Sequence, residues 1–335
     1  MEGEELVFEE GGRTAARTSF ARVYRRLGLR RAIRRRRYAL MYHSMRAVMF
    51  GLRRLSLPHA LALADRAGDL AYAAVPSVRR LALNHLEIAF GDTLSAADRE
   101  AIARAVYRNT ARGLTELIKL DEIRPHFDEY FSLEGLEHLQ EVQALGRGGI
   151  VVTGHLGNPD LLAAYAGSKG IALAAIAKRL DDPRLDRILT DFRTSNGLHI
   201  IWRRSRRTGR EILRVLKERR LLVIQIDNDL RTPSVSVPFF GRPTRTPAAA
   251  AVLAVHRDLP VLPAFTQRRP EGGHHFTVLP PIYPPKTGDR QRDVVELTRR
   301  FSEILEEQIR RNPSEWNWFH RRWRRRPIPG LDLDA

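Results

Sequence analysis

No cysteine occurs anywhere in the chain. That removes disulfides, thiolate zinc sites and cysteine nucleophiles, and it fits a reducing compartment. Long apolar runs are missing as well. A spanning helix needs about 18 uncharged apolar residues, and the best stretch, YALMYHSMRAVMFGL (38–52), is broken by His43 and Arg46. Residues 13–54 hold no acidic side chain. The G-x-S-x-G, H-E-x-x-H and G-x-x-x-x-G-K-[ST] patterns are absent, which excludes the serine-elbow, zincin and P-loop chemistries they carry. No metal-binding cluster and no internal repeat stands out. The first ten residues carry five glutamates, the wrong charge for a secretory leader. The expectation is a mature chain that starts near Met1 and stays cytoplasmic.

What is present is a globular composition on a strongly basic chain. Hydrophobic residues make up 43% of 335, enough for one large domain or two modest ones. The net charge of +18 calls for an anionic partner: phospholipid headgroups, nucleic acid or a phosphorylated substrate.

Residues 1–12 read as a disordered acidic tail. In 13–57, arginines such as those of RRAIRRRR (30–37) interleave with Ile33, Tyr38, Leu40, Met41, Val48 and Phe50. This suits a basic amphipathic segment on an anionic membrane. A nucleic-acid arm and a plain solvated helix remain open on composition alone. A single domain is expected over 58–327, helical over 58–145, where apolar residues recur at three- and four-residue intervals. Ser95 before AADRE marks a helix start. From 146 to 327, short apolar runs alternate with helical stretches: GIVVT (149–153), IALAAIA (171–177), HII (199–201), LLVIQID (221–227), LPVLPAF (259–265) and HFTVL (275–279). The expected fold class is α/β: a largely parallel or mixed sheet flanked by helices, preceded by a helical N-terminal region. PPIYPPKTG (280–288) is a loop, 290–311 a closing helix and 328–335 a tail.

The informative stretch is VVTGHLGNPDLLAAYAG (151–167). Asn158 suits an N-cap and Pro159 the first helical position. His155 therefore lies in the turn between a strand and a helix, with Asp160 in the helix's first turn. A turn there can fold the imidazole back onto that carboxylate. Strand C-termini are also where open α/β sheets place their sites. An imidazole held at one nitrogen can take a proton from a hydroxyl at the other. Backbone N–H groups near Gly157 and Asn158 suit a developing oxyanion. The bare H-x-x-x-x-[DE] spacing is weak: about one chance match is expected in this composition, and His155 supplies one. Its strand–turn–helix setting gives it weight. A capping aspartate beside a surface histidine is the alternative.

Further stretches add to it. LLVIQIDNDLRTPSVSVPFFGRPTRTPAAAAVLAVHRDLPVLPAF (221–265), NPSEWNWFHRRWRRRP (312–327) and RRLALNHLEIAFGDTLSAADREAIAR (79–104), together with GHLGNPD (154–160), resemble the bacterial lipid A late acyltransferases and their lysophospholipid and mannoside acyltransferase relatives. The resemblance covers roughly 40–327. It implies transfer of a fatty acyl chain from an acyl carrier protein or coenzyme A thioester to a hydroxyl of a membrane lipid. A lipid A precursor is the expected acceptor; lysophospholipid, aminolipid and glycolipid acceptors are alternatives. By this resemblance His155 is the base and Asp160 its orienting partner. Asp227 and Asp229 fall on the family's second acidic segment, where Asp227 would support substrate hydroxyls or a basic side chain. The chain departs from the family in having AAAAVLA after VPFFGRPTRTP, where relatives often have a glycine. Its N-terminal segment is also interrupted by arginines, so attachment to the cytoplasmic face of a bacterial inner membrane is expected to be peripheral or shallow. No cofactor is implied.

Lys178, Arg179, Arg193, Arg203, Arg204, Arg206 and Arg207 follow the histidine, and arginine suits bidentate phosphate recognition. Lys178, Arg179 and Arg203 are favoured as substrate contacts, along with Gly157, Asn158, Asp227, Asp229 and Arg242; a solvated basic face is the alternative. SVPFFGRP (236–243) is read either as a lip of an acyl tunnel or as an ordinary strand and turn. Trp316, Trp318 and Trp323 among arginines suit the headgroup level of a bilayer or stacking on single-stranded RNA. They also suit packing on the domain with the arginines outward. A nucleic-acid-binding module and an inactive scaffold are the functions of another class. The intact His155/Asp160 pair argues against the scaffold, and the α/β core argues against a simple binding arm.

Overall fold

A computed structural model describes residues 11–203, 205–230, 232–324 and 331–332. The expected tails, 1–12 and 328–335, lie outside these residues apart from 11–12 and 331–332, as do Arg204, Arg325 and Arg326.

The helical N-terminal region comprises α1 (Gly11–Arg54), α2 (Leu57–Ala74), α3 (Pro76–Phe90) and α4 (Ala96–Ile118), then two single turns, α5 (Leu120–Ile123) and α6 (Phe127–Tyr130). The start read at Ser95 is a capping box. Its hydroxyl accepts the Asp98 N–H at 3.1 Å, and the Asp98 carboxylate accepts the Ser95 N–H at 3.2 Å.

The remainder alternates: β1 (Phe131–Glu134), α7 (Leu136–Ala144), β2 (Gly149–Thr153), α8 (Pro159–Ser168), β3 (Leu173–Ala177), α9 (Pro183–Ser195), β4 (His199–Trp202), α10 (Thr208–Lys217) and β5 (Leu221–Gln225). Then come a hairpin of β6 (Ser234–Phe239) and β7 (Arg242–Pro247), α11 (Ala249–Arg257), β8 (Val261–Arg268), β9 (His274–Val278), α12 (Arg290–Arg311) and β10 (Leu331–Asp332).

Seven strands form one sheet in the order β1-β9-β8-β2-β5-β3-β4. All neighbours run parallel except β8 and β9. Strand β10 joins the β6–β7 hairpin in a separate antiparallel sheet. Strand β2 is buried throughout because both faces of the large sheet are covered. Its Ile150 and Val152 point into a cluster with α3, α4, α11 and α12. Val151 points the other way, toward α7 and α8. Strands β2, β5, β3 and β4 end along one edge of the sheet, and the histidine lies there.

Candidate active site

The turn from β2 into α8 is built for close approach. Asn158 caps α8, its Oδ1 accepting the Leu161 N–H at 3.3 Å. Gly157 has φ +62°, and a Cβ there would stand 2.3 Å from the Thr266 carbonyl oxygen. At Gly154 a Cβ would stand 2.7 Å from Leu305 Cδ1 and 3.1 Å from an Asp227 carboxylate oxygen. Residues 315–317 lock onto this turn from outside. The Gly157 N–H donates to the Glu315 carbonyl at 2.9 Å, and the Asn317 N–H donates to the His155 carbonyl at 3.0 Å.

The carboxylate that holds His155 comes from β5, not from α8. Thr153 pairs with Gln225 across the parallel β2–β5 ladder, so two residues further on His155 meets Asp227. The His155 ring Nδ1 lies 2.8 Å from Asp227 Oδ1, and the His155 backbone N–H donates to Oδ2 at 2.6 Å. Trp316 adds its indole N–H to Oδ2 at 2.9 Å. Burial pushes the Asp227 carboxyl up, but the His155 charge and these hydrogen bonds outweigh it and hold it well below the usual range. For His155, burial disfavours the charged ring; the charge and hydrogen bond of Asp227 outweigh that and raise its pKa above 6.5. Because Asp227 accepts at Nδ1, the neutral ring carries its proton there and leaves Nε2 as a base.

Asp160, expected to orient His155, binds Arg193 of α9 instead, through hydrogen bonds of 2.7 and 3.0 Å. Its position one residue into α8 turns it to the neighbouring helix. The dyad itself is set by strand register. Asp160 still lies near enough to add to the charge that favours protonated His155.

His155, Gly157, Asn158 and Asp160 line one side of a cleft of about 200 Å³. The other side is a face of α4 with Val106, Leu114 and Leu117 beside Asn109 and Thr110, and Arg268 and residues 314–317 also line the cleft. A largely apolar wall thus stands opposite a histidine base. The signature of the bacterial lipid A biosynthesis acyltransferases matches residues 28–325. The chain belongs to that family. Among its relatives, a phosphatidylinositol mannoside acyltransferase of Mycobacterium tuberculosis is 29% identical over 192 residues, 56% of this chain and 58% of that protein. The match thus spans little more than half of that relative's length. The lipid A biosynthesis lauroyltransferase of Escherichia coli is 26% identical over 58% of this chain and 61% of its own. The lipid A biosynthesis acyltransferase of Haemophilus influenzae is 25% identical over 74% of this chain and 78% of its own.

The remaining residues singled out from the sequence fall into three places. Gly157 and Asn158 are at the cleft, but as framework: the Gly157 N–H is spent on Glu315 and cannot serve an oxyanion. The Asn158 amide donates to the Gly113 carbonyl at 3.1 Å and to Glu116 at 3.4 Å. Lys178, Arg179 and Arg203 end β3 and β4, on the histidine's edge of the sheet but beyond β5, and none of them lines the cleft. Lys178 is exposed. Arg179 lies 3.9 Å over the Trp202 ring and bonds Asp186 at 2.9 Å. The Arg203 backbone N–H bonds the Ala177 carbonyl at 2.8 Å. Arg206 and Arg207 are exposed. Asp229, two residues past Asp227, is partly buried and its charge acts on Arg322. Arg242 is exposed at the start of β7, opposite Phe239 and outside the cleft lining.

Two stretches are corrected. Trp316 and Trp318 are fully buried, so neither reaches a headgroup. Arg322 is buried with them, bonding the Arg245 carbonyl at 2.6 Å and the Thr246 hydroxyl at 2.7 Å. Burial pushes its pKa down to about 10. The arginines of this stretch are therefore not all outward. Phe239 and Phe240 are buried on the same tryptophans, making SVPFFGRP a core hairpin and not a tunnel lip.

The sequence reading missed the carboxylate network beneath Asn158. Glu116 is fully buried. It accepts from Tyr130 at 2.8 Å and from Arg268 at 2.9 Å, and lies 3.1 Å from His274. It missed His320 as well, whose ring lies against His155 with centroids 4.4 Å apart and planes tilted by 36°. Glu116 carries no local signal, since its partners are 14 to 158 residues away. His320 was visible only as part of a basic, aromatic run.

Proposed function

We propose that the chain moves a fatty acyl group from an acyl carrier protein or coenzyme A thioester to a hydroxyl of a phosphate-bearing glycolipid, with a lipid A precursor as the first candidate acceptor. The observation that carries this is the Asp227-held His155 facing a cleft walled by apolar side chains of α4. His155 Nε2 takes the proton of the acceptor hydroxyl. The oxygen attacks the thioester carbonyl, the C–S bond breaks, and the leaving thiolate takes the proton back from His155. Asp227 keeps the ring in the right tautomer and stabilises its charged form. The acyl chain lies along Val106, Leu114 and Leu117. No covalent acyl-enzyme forms in this scheme, and it draws on no cofactor.

Attachment to an anionic membrane surface is part of the proposal. Helix α1 exposes Ile33, Leu40, Val48 and Phe50 beside Arg34–Arg37. This is the mixture that partitions into an anionic interface. No described helix is long and apolar enough to cross a membrane. A phosphatidylinositol mannoside is the second acceptor, favoured by the M. tuberculosis relative.

The test is mass spectrometry of membrane lipids from the host with and without the gene, complemented by wild type or His155→Ala. Loss of one acyl chain from a glycolipid, restored by wild type alone, is the expected result. Unchanged lipids would overturn the proposal.

A further inference from the structure

The reaction needs a donor for the negative oxygen that forms on the thioester carbonyl. The backbone N–H groups of His155 and Gly157 are committed, to Asp227 and Glu315. Arg193, the nearest cation on α9, is already paired with Asp160.

His320 touches the base itself, from just outside the residues that line the cleft. Its ring lies against the His155 ring, centroids 4.4 Å apart and planes tilted by 36°. The two rings share no hydrogen bond, so neither uses a nitrogen on the other. Unlike His155 Nδ1, neither His320 ring nitrogen has a hydrogen-bond partner among the described residues. The ring is half-buried, and its nitrogens are left available to a substrate. The ring is also held in place. Residues 315–317 are hydrogen-bonded to the His155 turn, and Trp316 is buried against Asp227. The His320 backbone N–H bonds the Asn317 carbonyl at 3.4 Å, and its carbonyl accepts from Arg322 at 2.9 Å.

Building on the acyl-transfer reading above, we propose that His320 is a second catalytic residue, donating a ring N–H to the thioester carbonyl oxygen as it becomes an oxyanion. The geometry suits this role. The hydroxyl that gives its proton to His155 Nε2 lies about 3 Å from that nitrogen, and the His320 ring sits beside the same imidazole, centroids 4.4 Å apart. Burial and the neighbouring His155 charge press the His320 pKa down to about 4. The ring is thus neutral and keeps one N–H at working pH. A neutral imidazole is a known electrophile of this type in other enzymes. His320 moves no proton: the hydroxyl proton goes to His155 and then to the leaving thiolate.

The test uses the purified full chain with palmitoyl-coenzyme A or palmitoylated acyl carrier protein and a glycolipid extract, following both thiol release and ester formation. His320→Phe keeps the ring contact and removes the donor; His320→Gln keeps an N–H. The expected result is a kcat loss of about 10²- to 10³-fold in His320→Phe. KM and the melting temperature stay near wild type, and His320→Gln recovers about tenfold or more of the loss. Wild-type kcat in His320→Phe, or equal losses in the two variants, overturns the assignment. If His320→Phe unfolds, His320→Ala with added free imidazole replaces it: rescue supports the role and no rescue overturns it. Failure of the wild type to turn over either thioester would instead overturn the acyl-transfer reading itself.

Discussion

Arg193 closes on Asp160 through two hydrogen bonds of 2.7 and 3.0 Å, so the carboxylate five residues after His155 holds an arginine of α9 and not the imidazole. The two acidic residues therefore have separable effects. Asp227→Asn removes the group that fixes the His155 tautomer and should lower kcat by about 10⁴-fold. Asp160→Asn frees Arg193 and loosens the start of α8, a misplacement that should cost at most about 10²-fold. Steady-state kinetics on the two variants checks the order. The reverse order would return Asp160 to the imidazole.

The pH profile should carry the mark of Asp227. The base works in its neutral form, and Asp227 raises the His155 pKa above 6.5. The acid limb of kcat/KM should therefore lie above the ordinary histidine value. In residual Asp227→Asn activity it should move to lower pH, because the raising partner has lost its charge. A limb that stays put would disconnect Asp227 from the base.

Gly157 should tolerate no side chain. Its φ of +62° and the 2.3 Å approach to the Thr266 backbone oxygen make Gly157→Ala destabilising by about 1–3 kcal/mol. The site turn should be displaced with it. Gly51, in the last turn of α1 with open space around it, is the control: alanine there should be neutral or mildly stabilising. Thermal unfolding of both variants compares them.

Vesicle flotation tests the role given to α1. Binding to vesicles rich in anionic phospholipid should exceed binding to zwitterionic ones and should weaken as salt rises. Replacing Arg34–Arg37 with glutamine should remove most of the difference. Equal binding by wild type and variant would take α1 out of the attachment.

Much of the fold was legible because local chemistry decides it. The run GIVVT is β2 to the residue, the Asn158–Pro159 start is the start of α8, and 290–311 is α12. The histidine's place at a strand–helix turn was legible for the same reason. Its partner was not. Which carboxylate meets His155 depends on β2 lying beside β5 in register, a relation between strands 72 residues apart that no local spacing encodes. The aromatic run at 316–323 misled because tryptophan and arginine carry the same surface signal whether they face lipid or a buried carboxylate. In this fold Trp316 faces Asp227, and Arg322 is buried against β7. The Glu116 network is built wholly from long-range contacts.

The most direct test of the central claim is ester formation by purified wild type, His155→Ala and Asp227→Asn, given an acyl thioester and a glycolipid acceptor. The account predicts acylated lipid and free thiol in equal amounts from wild type and neither from a folded His155→Ala. Product formed at the wild-type rate by His155→Ala would contradict it.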